Sequence, residues 1–141
     1  MHIITAIKII LILWSTLLKL HLANFAHQYI FTGYGDGYVL INQNRYEKSL
    51  IVLPDYLIEN WPILSVSQLE AQHFQNLLPH KPEIVILGTG AKHQFPDQSL
   101  LSQLVKLGIG IEVMDTKACC RTYNILAEEG RRVAAAILIE P

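Results

Sequence analysis

The spacing of apolar positions changes along this chain, and each change marks an element. Glu83 to Leu87 reads as a short, continuously apolar strand, the pattern of a strand covered on both faces in a parallel sheet. Gly88 to Lys92 makes a connection, and Phe95-Pro96-Asp97 opens a helix whose Leu100, Leu101, Leu104 and Val105 recur at helical spacing as far as Gly108. Ile109 to Met114 is the next strand. Asp115 and Thr116 turn the chain into a second helix that stops at Gly130, and a last apolar strand follows to Ile139. This punctuation predicts an α/β domain. Strands joined by short crossover helices should run parallel, so their carboxyl ends open on one edge of the sheet, where ligands of open α/β folds bind.

Upstream, the pattern predicts β structure. Tyr29 to Thr32 is a short aromatic and β-branched run, and Gly33, Gly35 and Gly37 then space out Tyr34, Asp36 and Tyr38. Tyr38 to Ile41 reads as a strand, Asn42-Gln43-Asn44 as a hairpin turn, and Arg45 to Leu53 as a second strand ended by Pro54 and Asp55. Phosphate-cradling glycine loops open a helix, whereas this one leads into a strand, so its glycines read as a tight turn or bulge. Trp61 is expected to pack over the sheet with a partner for its indole N–H. Ser67 and Glu70 predict a capping box for a helix with Leu69, Phe74, Leu77 and Leu78 on its apolar face, ended by Pro79.

The first residues differ in character. Ile3 to Leu18 is almost wholly apolar, interrupted by Lys8 and followed by Lys19 and His21. The run is short for a spanning helix and carries a lysine inside it. Ala23 and Ala26 are spaced one residue too far apart for an A-x-A cleavage site. Three readings stay open for residues 1–20: a weak membrane anchor, an uncleaved leader, or sequence upstream of the true start. The last is preferred because ordinary α/β patterning begins only afterwards, and an extra apolar helix or strand packed on the domain is the plain alternative. Residues 21–141 are expected to form a single α/β domain.

Composition narrows the function classes. The 141 residues are one domain's worth, with 51% apolar and 16% charged side chains, a globular balance. A net charge of −1 supplies no field for nucleic acid, and the one small basic group, Lys117, Arg121, Arg131 and Arg132, falls short of a binding face. The cysteines, Cys119 and Cys120, are adjacent. Neighbours on a helix point about 100° apart, so the pair is no disulfide scaffold and fits a reducing, cytoplasmic compartment.

Candidate chemistry gathers on the two loops that the parallel strands bring together. Gly88, Thr89, Gly90 and Lys92 follow the first strand. Asp115 and Thr116 follow the second, at the start of the helix that carries Cys120 and Arg121. His93 stands where a dinucleotide fingerprint needs its third glycine, and no G-x-x-x-x-G-K-[ST] occurs. What remains is a candidate site for a small anion at two loops and a helix N-terminus. The plain alternative is tight turns, a cap at Asp115 or Thr116, and a structural ion pair at Arg121. A helix start lowers a thiol pKa, yet no histidine lies near the cysteines in sequence and Cys119 falls on the stripe of Tyr123, Leu126 and Ala127. No catalytic residue is assigned. The histidines lack metal-ligand spacing, and neither a metal nor a cofactor is expected.

Three blocks, FTGYGDGYVLINQNRYEKSLIVLP, EIVILGTGAKHQFP and GIGIEVMDTKACCRTYNILAEEGRRVAAAIL, resemble a small bacterial, archaeal and mitochondrial family of unknown function. Its mitochondrial members include assembly factor three of respiratory complex I. The resemblance runs from Phe31 to Leu138, with GTGA at Gly88 to Ala91, M-D-T at Met114 to Thr116 and C-R-T-Y-N at Cys120 to Asn124. Cys119 stands where an alanine is more usual. The first seventeen residues have no counterpart in the bacterial form, which begins near a segment like Lys19 to His21.

The resemblance implies a three-layer α/β fold with a mixed central sheet of about five strands, the last antiparallel to the others, plus a small β-hairpin element. It also implies a non-catalytic protein-interaction module that helps assemble a membrane complex, working in the cytoplasm or peripheral to the inner membrane, with complex I subunits or assembly factors as partners. Such a module needs an exposed aromatic patch, for which Tyr34, Tyr38, Tyr56 and Trp61 are candidates. The alternative is a small-molecule or anion-binding protein, or an enzyme, using the Gly88 to Lys92 and Asp115 to Arg121 edge. An exposed edge strand in the β element leaves room for a homodimer.

Overall fold

The structure is a computed structural model that describes residues 2–26 and 28–141, with side chains described for 3–18 and 28–141. The expectation attached to Lys19 to His21, and the Ala23 and Ala26 side chains, fall outside the described side chains. A first helix, α1 (His2–Ala26), precedes the domain. Residues 3–18 are exposed throughout, so this segment is not an apolar helix packed into the core. Among the described residues, no helix is long and apolar enough to cross a membrane.

Two sheets follow. β1 (Phe31–Gly35), β2 (Tyr38–Ile41) and β3 (Asn44–Tyr46) form an antiparallel meander. Ile41 pairs with Asn44, which leaves Asn42 and Gln43 as a two-residue turn, both at positive φ. Asn42 holds the turn by accepting from Ile30 N–H and donating to the Gln28 carbonyl. The second sheet contains β4 (Leu50–Leu53), β5 (Tyr56–Ile58), β6 (Ile84–Gly88), β7 (Ile111–Met114) and β8 (Val133–Ile137), in the order β5-β4-β8-β6-β7.

The expected mixed five-stranded sheet is present, with one strand direction corrected. The last strand, β8, runs parallel to β6, and β6 parallel to β7; β4 is the strand that opposes its neighbours. Its hairpin to β5 explains this, because a two-residue connection between Leu53 and Tyr56 can only join antiparallel strands.

Alternation along the strands makes three layers. Ile51, Leu53, Val85, Leu87, Ala134 and Ala136 face α2 (Gln98–Lys106) and the segment around Trp61, Phe74 and Leu77. Leu50, Val52, Ile86, Ala135 and Ile137 face α3 (Thr116–Glu128) and the inner side of the small sheet at Phe31, Val39 and Ile41. Trp61 is buried against Phe74, and its indole N–H donates to the His73 carbonyl at 3.1 Å.

The helix expected after Ser67 is two 3₁₀ segments, Val66–Gln68 and Ala71–His80. Glu70 rather than Ser67 caps the second, with Glu70 N–H donating to His73 Nδ1 at 2.9 Å. Three residues per turn bring Phe74 and Leu77 onto one buried face and leave Leu78 out at the surface.

Candidate functional site

The parallel strands β6, β7 and β8 end on one edge, and there the structure has a cleft of about 620 Å³. Its floor is the Thr89 to Lys92 loop, the start of α3 at Thr116 and Lys117, and Leu138 to Glu140 beyond β8. The β1–β2 turn, Tyr34 to Val39, forms the facing wall. Lys92 and Lys117 come from the loop and helix side, Asp36 and Glu140 from the turn and the β8 extension, so both signs of charge line it.

Hydrogen bonds lock the floor. Thr89 is buried, and its hydroxyl donates to the Lys92 carbonyl at 2.7 Å while accepting from Gln94 N–H at 3.1 Å. Thr89 N–H donates to the Met114 carbonyl, which ties the loop to the end of β7. Gly90 and Thr116 exchange two bonds: Gly90 N–H to the Thr116 hydroxyl, and Thr116 N–H to the Gly90 carbonyl, each 2.9 Å. Gly90 sits at φ +96°, a conformation that side chains rarely adopt. A Cβ on Gly88 would press on Ile137 Cδ1 at 3.0 Å and on Cys119 Cβ at 3.2 Å, so Gly88 sets how closely α3 packs. At the start of α3, the Asp115 carboxylate accepts from Ala118 N–H at 2.8 Å. The protein's own carboxylate therefore occupies the helix start that an anion would seek.

Of the candidate ligand residues, Thr89, Gly90, Lys92 and Thr116 line the cleft, Asp115 caps α3, and Gly88 lies beneath it. Cys120 is buried in the core and Arg121 is exposed, and neither lines the cleft. The basic group does not gather either, because Arg131 pairs with Glu83 and Arg132 with Asp55. Lys117, named from the sequence only as part of the basic group and within the Asp115 to Arg121 edge, is a cleft cation; its signal is a lysine directly after the capping Asp115-Thr116 pair.

The aromatic candidates also divide. Tyr34 and Tyr38 line the cleft, and the Tyr38 ring lies against Gly35 with the Arg45 guanidinium 3.8 Å from its centroid. Tyr56 is 49% exposed and packs on His80 away from the cleft. Trp61 is 3% exposed and offers no surface, because its indole ring fills the core beside Phe74.

The C-R-T-Y-N block is structural. Burial pushes the Cys119 thiol well above its ordinary range, helped by Cys120 and Asp115; burial likewise pushes Cys120 up to about 12. Both stay protonated at neutral pH and neither is a ready nucleophile. Asn124 brackets Phe31, accepting from its N–H at 2.9 Å and donating to its carbonyl at 2.7 Å. Tyr123 donates to the Tyr29 carbonyl at 2.7 Å and meets the Phe31 ring edge-on at 5.1 Å. Burial, then the Asp55 charge, raises its phenol pKa. Together these two side chains fasten the small sheet, and with it the cleft wall, onto α3. Among the described residues, no three His, Cys, Asp or Glu side chains gather around a common metal position.

The fold has counterparts elsewhere. The family model described as protein of unknown function DUF498/DUF598 matches residues 31–138. The chain belongs to that family. A relative, NADH dehydrogenase (ubiquinone) 1 alpha subcomplex assembly factor 3 of Danio rerio, is 37% identical over 103 residues, 72% of this chain and 58% of that protein. The chain thus spans little more than half the length of that assembly factor. A 13 kDa major membrane protein of Francisella tularensis subsp. holarctica is 29% identical over 109 residues, 77% of this chain and 89% of the relative. A Bordetella parapertussis crystal structure superposes with a TM-score of 0.73 at 35% identity, covering 80% of this chain and 97% of that one. The DUF498/DUF598 match begins at Phe31, so the Asn124–Phe31 bracket lies inside the matched residues while Tyr29 and α1 lie outside them.

Proposed function

We propose that this chain is a non-catalytic, assembly-factor-like protein whose partners are subunits or assembly factors of respiratory complex I. The acting unit is the α/β domain that follows α1, working in the cytoplasm at the surface of the inner membrane. The observation that carries this reading is the 37% identity to an assembly factor over 103 residues, 72% of this chain. The cleft is consistent with it. Tyr34 and Tyr38 give an aromatic wall, and Lys92 and Lys117 with Asp36 and Glu140 suit a polar peptide with both signs of charge. Both thiols are buried and protonated, so the family's cysteine supports packing rather than chemistry.

The test is removal of the gene in the native host, followed by native-gel separation of membrane complexes and assay of NADH:quinone activity. Loss of assembled complex I, restored by the wild-type chain but not by a Lys92→Glu, Lys117→Glu variant, is expected. Normal levels of the complex would reject the reading.

A second reading keeps one observation in its favour: about 620 Å³ lies within the range of small-molecule sites. Its ligand would be held at Lys92 and Lys117 rather than Arg121. Native mass spectrometry of the purified full chain would show a bound metabolite of defined mass, lost in the same double variant; a ligand-free spectrum would dismiss it.

A further inference from the structure

The eleven large apolar side chains between Ile3 and Leu18 are 51–75% exposed, an apolar surface far beyond the patches that monomers of this size leave open. Their arrangement says what covers them. At about 100° per residue, Thr5, Lys8, Ser15 and Thr16 fall within about 100° of arc, and apolar side chains fill most of the remaining circumference. The Thr16 hydroxyl donates to the Ile12 carbonyl at 3.0 Å, so it needs no water.

A protein groove or a second copy of the helix covers one stripe of a helix and would leave most of this surface wet. A bilayer covers an apolar face of any width; among the described residues the helix is not long and apolar enough to cross one, which leaves the interface, with the narrow polar stripe at the headgroups. Charge fits the same surroundings: no Asp or Glu precedes Asp36 in the sequence, so Lys8 meets no acid of its own segment. We propose that α1 lies in the plane of an anionic lipid bilayer, its apolar face in the acyl layer and its Lys8 stripe among the headgroups. The lysine stem reaches outward while its ammonium stays in water. Tyr29 to Phe31, clamped to α3 by Tyr123 and Asn124, then hold the domain close to the membrane surface. This placement does not depend on the partner reading, since none of the described α1 side chains lines the cleft.

The test uses the full chain and vesicles of phosphatidylcholine with or without phosphatidylglycerol, read by flotation and by Trp14 fluorescence with brominated lipids. Expected are flotation with the anionic vesicles, a several-fold loss on Lys8→Glu, and quenching that is stronger with bromines near the headgroup end of the acyl chain than near its methyl end. That quenching should vanish in Trp14→Phe, which leaves Trp61 as a domain reference. Ile10→Asp, on the exposed apolar face, should abolish flotation while the domain keeps its unfolding midpoint. A chain that stays unfloated, quenching deepest at the bilayer centre, or a stable oligomer whose Trp14 remains shielded from lipid would each overturn the proposal.

Discussion

At the scale of single residues, the C-R-T-Y-N block holds the small sheet to α3. Asn124 satisfies both backbone groups of Phe31 from a half-buried position. Asn124→Ala strands a donor and an acceptor there, and is expected to cost about 2–3 kcal/mol in urea unfolding while loosening the cleft wall. The thiols add a pH dependence. Cys120 has a folded pKa of about 12 against an ordinary 9.0, so between these values the folded chain keeps a proton that the unfolded chain releases. Stability from this group is complete below pH 9 and falls as pH rises. Raising the pH from 8 to 10 should cost about 1 kcal/mol more in wild type than in Cys120→Ser, measured by denaturant midpoints. Equal losses in the two proteins would mean the thiol ionises alike in both states.

Among elements, those read well from sequence were the ones whose local signals agree with their packing. Asp97 and Asp115 cap α2 and α3, and the apolar run before Gly88 lies buried between two parallel neighbours, β8 and β7. The Ala71–His80 segment was misread as an α-helix because Phe74, Leu77 and Leu78 satisfy that spacing too; only the depth of the site, with Leu78 left outside, selects the 3₁₀ form. The direction of β8 was invisible locally. It depends on which strand β8 joins, and β4 and β6 run in opposite senses on its two sides. In the β2–β3 turn, Gln43 carries φ +70° at the surface, where glycine would rest without strain. Gln43→Gly should therefore stabilise the domain by about 0.5–1 kcal/mol, seen as a raised unfolding midpoint.

For the whole molecule, the sheet edge was legible and its contents only partly so. The two parallel strands place Gly90 and Thr116 together, as their loops foretold, but the β1–β2 turn that completes the cleft comes from a separate sheet. No local pattern joins Tyr34 to Lys92 or excludes Arg121; only the Asn124 and Tyr123 clamp, spanning ninety-odd positions, brings that wall into place. A partner should therefore feel changes in this cleft and ignore changes at Tyr56 or Arg121. The most direct measurement is a quantitative pull-down of the tagged chain, expressed from its own locus, with mass spectrometry of the partners. Wild type, Lys92→Glu with Lys117→Glu, and Arg121→Ala are compared. Complex I subunits or assembly factors should be recovered with wild type and Arg121→Ala and depleted several-fold with the double variant. Their absence from the wild-type sample, or equal recovery from all three, would contradict the account.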